Sequence, residues 1–119
     1  MKYMLFIKHT EAQRSLDIPA GLMDAMGTFV GEGLKNGTMI DTAGLKSSKD
    51  ASTVTLHSGT LTVTDGPFAE SKEIVGGYAL INVNSRDEAM ALATEFMELH
   101  RVHMPTFEVS CEVRPLEDM

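Results

Sequence analysis

Extended stretches and helical stretches alternate along this chain, and the positions of the apolar residues separate one kind from the other. Lys2 to Lys8 places Tyr3, Leu5 and Ile7 on one side of a strand and Met4 and Phe6 on the other, so both faces demand cover and the strand is central. Thr10 to Asp17 is a polar connection. Leu22, Met23, Met26, Phe29, Val30 and Leu34 then recur at helical spacing, with Pro19 in the first turn, Asp17 or Ile18 near its cap and Asn36-Gly37 as the stop. Gly27, Gly31 and Gly33 lie inside that helix at about 1 kcal/mol each relative to Ala, a cost that close packing against a sheet would explain.

Residues 42 to 52 read as a loop of small and charged residues, and a hairpin follows. With Ser58-Gly59 as a two-residue turn, Val54 faces Val63, Thr55 faces Thr62, Leu56 faces Leu61 and His57 faces Thr60. One hairpin face is apolar and the other threonine-rich. Tyr78 to Val83 is again apolar on both faces and predicts a second central strand. Ser85 and Glu88 form a capping box for a second helix, whose buried stripe runs through Ala89, Leu92, Ala93, Phe96 and Met97. After Pro105, a final strand alternates Phe107, Val109, Cys111 and Val113 inward against Glu108, Ser110, Glu112 and Arg114 outward.

Strand, helix, hairpin, strand, helix, strand predicts an α+β fold: a ferredoxin-like βαββαβ sandwich with an extra hairpin strand, in one domain spanning residues 1–119. Right-handed crossovers put both helices on one sheet face. The central strands are apolar on their other face as well, and a homodimer that packs sheet against sheet, a dimeric α+β barrel, covers it.

Composition narrows the partners. With 119 residues and 43% hydrophobic content the chain is long enough for one core, and 17 acidic against 10 basic residues give a net charge of -7. That balance argues against nucleic acid and against an anionic membrane surface. A single cysteine, Cys111, makes no intrachain disulfide and fits a cytoplasmic setting; no apolar run approaches the roughly 18 residues of a membrane span. No phosphate-binding glycine loop or dinucleotide fingerprint is present, since Gly31-Glu32-Gly33 falls within a helix, and no cofactor is expected.

The stretch from Asp65 to Glu73, Asp-Gly-Pro-Phe-Ala-Glu-Ser-Lys-Glu, is an acidic turn between two strands, with Gly66 and Pro67 supplying turn geometry. Together with Gly76-Gly77-Tyr78 it closely resembles the signature of the DGPF-type branch of the YCII-related proteins. Lys2-Tyr3-Met4-Leu5 and Glu112-Val113-Arg114-Pro115 resemble the family's ends. The resemblance implies the ferredoxin-like fold and, through the family's association with extracytoplasmic-function sigma factors, a regulatory protein partner as an alternative to a small-molecule ligand. Better-known relatives carry a histidine in the first helix and an aspartate near the second, proposed as a dyad. Residues 18 to 36 contain no histidine here, so only Asp65 carries over.

If the hairpin strand Thr60 to Thr64 borders Tyr78 to Val83, then His9, Asp65 and the end of the second helix, with His100, Arg101 and His103, share one sheet edge. Asp65 orienting His100 or His103 would make a general acid-base pair, because imidazole ordinarily titrates near neutrality. His9, Phe68, Tyr78 and Arg101 stand beside that pair as ligand contacts. A histidine closing an apolar stripe also serves plain packing at a helix end. His100-x-x-His103 matches metal-ligand spacing only weakly without a third ligand in fixed spacing, and no metal is expected. Glu70, Lys72 and Glu73 read as a solvated loop face, His57 as exposed and Cys111 as packing.

Overall fold

The computed structural model describes residues 1–118. Six strands and three helices follow in the order β1 (Lys2–Thr10), α1 (Glu11–Arg14), α2 (Ala20–Asn36), β2 (Met39–Gly44), β3 (Ser52–His57), β4 (Thr60–Asp65), β5 (Glu73–Asn82), α3 (Arg86–His103) and β6 (Ser110–Pro115), with a short 3-10 turn at Ser48–Asp50. Four strands form one sheet in the order β2-β5-β1-β6, every pair antiparallel. The architecture is α+β and compatible with the ferredoxin-like arrangement. As expected from its two-sided apolar pattern, β1 is central, pairing Tyr3 with Ile81 on one side and with Pro115 on the other.

The core lies between the sheet and the longer helices. Tyr3 and Leu5 of β1, Ile81 of β5, and Ala89 and Ala93 of α3 are buried together, with Cys111 and Val113 of β6 packed against them. Phe29 of α2 meets Phe96 of α3 at 5.4 Å between ring centroids. The capping box of α3 forms, the Glu88 N–H donating to Ser85 Oγ at 3.1 Å while the Glu88 carboxylate accepts from the Asn84 N–H. Gly37 ends α2 in the left-handed conformation at φ 82°, as Asn36-Gly37 predicts.

Two expectations are corrected. The strand bordering β5 is β2, which begins before the segment read as a loop, and the hairpin β3–β4 forms a separate two-stranded sheet. The residues of β2 hid the strand, because its only buried side chain is Met39. The hairpin register itself is as expected, Val54 opposite Val63 and Leu56 opposite Leu61, but these side chains are 66 to 69% exposed. The first helix also differs: Pro19 occupies the cap position with no side-chain cap, and Met23 and Leu34 of its stripe are exposed. Of the four glycines in α2, Gly33 and Gly21 are closely approached, a Cβ lying 3.0 Å from that of Met39 at the first and 3.1 Å from His103 Nδ1 at the second, while Gly27 and Gly31 face open space.

The acidic turn is a latch. Ser48 is buried; its Oγ accepts from the Phe68 N–H at 3.0 Å, and the Gly66 N–H donates to the Ala51 carbonyl at 2.8 Å. A Cβ at Gly66 would sit 1.6 Å from the Ser48 carbonyl oxygen, so only glycine lets the two backbones meet. Gly66→Ala is therefore expected to lower the melting temperature by roughly 10 °C. Gly27→Ala, free of any neighbour, is expected to raise it by a few degrees; thermal unfolding by circular dichroism checks both, and equal effects would refute the latch.

Candidate functional site

Strict alternation along β1 carries its inward side from Tyr3 and Leu5 through Ile7 to His9. His9 is thereby buried, 6% exposed, on the face that the helices cover. The ring needs room, and a bulge in β5 supplies it. The β1–β5 register shifts between Ile7 and Lys8, whose partners Gly77 and Val75 leave Gly76 unpaired. A Cβ at Gly76 would lie 2.1 Å from His9 Nε2, so the glycine is what admits the imidazole.

The second histidine comes from α3. His100 continues the stripe of Ala89, Ala93 and Phe96 and is 5% exposed. Phe107, just before β6, lies beside both rings, 5.7 Å from His9 and 6.1 Å from His100 between centroids. Both histidines line one cavity of about 290 Å³ between α2, α3 and the sheet, with Phe29, Met26, Met39, Thr42, Phe107 and Arg14 among its walls.

The two rings are held alike. His9 Nδ1 lies 3.0 Å from the Thr10 carbonyl oxygen and His100 Nδ1 lies 3.0 Å from that of Phe96. A carbonyl oxygen only accepts, so each Nδ1 carries a hydrogen and Nε2 is the nitrogen left for other partners. Among the described residues neither Nε2 has a hydrogen-bond partner, and that of His9 lies against Gly76. Two imidazoles held through Nδ1 can exchange a proton or a hydrogen bond with a ligand through Nε2.

Arg14 reaches the same cavity from α1. Its Nη2 donates to the Leu45 carbonyl at 2.7 Å, and no carboxylate forms an ion pair with it among the described residues. The short helix is anchored by Glu11, whose carboxylate accepts from the Ser47 hydroxyl at 2.6 Å and from the Ser48 N–H at 3.3 Å. The segment expected to be a loop is thus tied down.

The other sequence candidates fall elsewhere. Asp65, at the hairpin base, accepts from the Ser52 hydroxyl at 2.6 Å, and no ion pair joins it to an imidazole among the described residues. His103 is exposed and stands over Gly21, a Cβ there lying 3.1 Å from its Nδ1, while Arg101 pairs with Glu98 on the surface. Phe68 borders a different, open hollow and carries the Lys72 ammonium 4.6 Å from its ring centroid. Tyr78 borders the histidine cavity, but its hydroxyl donates to Asp41, and that hydrogen bond raises the phenol pKa. Burial pushes the Cys111 thiol up to about 11, so it is an inert packing group. Among the described residues no cluster of three His, Cys, Asp or Glu side chains is placed to hold a metal ion, and no helix is long and apolar enough to cross a membrane.

Arg14 escaped the sequence reading because it sits in a connection with no periodicity. His9 was legible as an inward residue, since it extends the alternation of β1 by one step.

An α+β domain with a histidine-lined cavity between helices and sheet is the class that this geometry defines. Residues 1–97 match the model of the YCII-related domain, and the chain belongs to that family. No curated protein matches the chain.

The Glu11 anchor has a pH signature. Hydrogen bonds from Ser47 and then Ser48 lower the Glu11 pKa below its ordinary 4.5. A depressed carboxylate stabilises the fold above its unfolded value and loses that contribution as pH falls through the folded one. Urea midpoints of wild type and Glu11→Gln should therefore differ at neutral pH and converge well below pH 4.5; a gap that persists in acid would contradict this account.

Proposed function

We propose that this YCII-related domain binds a small organic molecule in the cavity of His9 and His100 and moves protons on it, working as a homodimer. One observation carries the reading: two buried imidazoles from different elements border a single apolar space, each with Nδ1 committed to a main-chain carbonyl. Histidines serving only as packing need no adjoining cavity and no bulge cleared by Gly76. In such a site one Nε2 removes a proton from a carbon acid while the other ring, protonated beforehand, delivers one to the neighbouring position. The apolar walls exclude water from the intermediate. This replaces the expected Asp65–histidine pair with a histidine pair; Asp65 is better accounted for by its bond to Ser52 at the base of the hairpin.

The test is a thermal-shift screen of metabolites followed by proton exchange on each hit. Compounds that stabilise wild type are expected to lose that effect in His9→Asn and in His100→Asn, and to keep it in Asp65→Ala. Exchange of an activated C–H for deuterium in heavy water should vanish in either histidine variant. Stabilisation indifferent to both histidines would overturn the reading.

The second copy is supported by surfaces the chain leaves bare. Val54, Leu56, Leu61 and Val63 line one hairpin face in solvent, and an isolated two-stranded hairpin is at best marginally stable. The radius of gyration, 15.9 Å, exceeds the roughly 13 to 14 Å usual for a compact chain of this length. Met4, Phe6 and Leu80 alternate away from the helices onto the opposite sheet face, beside the Lys8–Glu112 ion pair. A partner copy covers both surfaces with matching apolar ones. Sedimentation should show a dimer at micromolar concentration, and Leu56→Lys combined with Leu61→Lys should shift it toward monomer; a monomeric wild type would dismiss the idea.

A further inference from the structure

We infer that the ligand of the histidine cavity is a small monocarboxylate with an apolar body, and that Arg14 binds its carboxylate; this rests on the proposed function above. The charge around the cavity points that way. The chain has 17 acidic residues against 10 basic, yet among the described residues no Asp or Glu lines this space. Among the described residues its one formally charged wall group is the Arg14 guanidinium, and the imidazoles of His9 and His100 can add only positive charge. An acidic protein has thus kept a cavity that is neutral to positive and free of carboxylates.

The geometry of Arg14 narrows the class. Its acidic neighbour along α1, Glu11, hydrogen-bonds Ser47 and Ser48 and reaches Arg14 only as a weaker through-space attraction, so among the described residues no direct ion pair occupies the guanidinium. One nitrogen donates to the Leu45 carbonyl, which steadies the side chain and leaves the remaining N–H donors for a planar oxyanion. A single guanidinium suits one carboxylate. Phosphate groups ordinarily gather several cationic or main-chain donors, and the other walls here are chiefly apolar side chains such as Met26, Phe29 and Phe107. At about 290 Å³ the cavity lies at the small end of ligand sites, which limits the apolar body to a compact ring or branched chain.

Methionine methyl resonances provide a local readout, because Met26 and Met39 line the cavity whereas Met1 and Met90 are exposed elsewhere. Protein labelled at the methionine methyl carbons would be titrated with benzoate and isovalerate, and in parallel with the uncharged isosteres benzamide and isovaleramide. The carboxylates are expected to move the Met26 and Met39 signals saturably, and to bind about 10- to 100-fold more tightly than their amides. Arg14→Gln should erase that preference while leaving the unliganded spectrum dispersed. Amides that move the same signals with equal midpoints would overturn the carboxylate assignment and leave the cavity reading standing. If neither acids nor amides perturb Met26 or Met39, both ideas fall together.

Discussion

The strand β1 is the constraint on which the rest of the molecule depends. It is hydrogen-bonded on both edges, to β5 and to β6, and its inward side chains supply the core with Tyr3 and Leu5 before ending at His9. Because side chains along a strand repeat every second residue, the pairing that buries Tyr3 also dictates that His9 points toward the helices. A slip of one residue would send the imidazole to the opposite face and empty the core at once. The core and the site are therefore set by one register.

Around that strand, glycine placement decides what can approach what. Gly76 sits at the bulge of β5 and leaves space for the His9 ring, and Gly66 lets the acidic turn press against the Ser48 carbonyl. The second contact keeps Ser48 buried beside Glu11, which holds α1 and hence Arg14 at the cavity mouth. The acidic turn thus acts mainly through backbone contact. Asp65 accepts from the Ser52 hydroxyl at the base of the hairpin.

The candidate site is built from elements with different mechanical roles. His9 and His100 lie on regular structure, tied by main-chain carbonyls, and are positioned as firmly as the sheet and α3 themselves. Arg14 lies on a four-residue helix anchored by side-chain and loop contacts, so it is the element best able to adjust to a ligand. In the proposed function, the rigid pair of imidazoles would serve the chemistry and the less rigidly held cation the capture of the ligand.

The sequence by itself determined the α+β class, the centrality of β1, the hairpin register, the capping box of α3 and the family, because each is written in local periodicity or in a contiguous motif. It also marked His100 as the continuation of an inward-facing stripe and His9 as a residue of the sheet edge. Tertiary structure alone decided that β2 rather than the hairpin borders β5, since an edge strand with one buried residue leaves almost no periodic trace. It alone brought His9, His100 and Arg14 to one cavity, because residues so distant in sequence meet only through sheet order and a bulge.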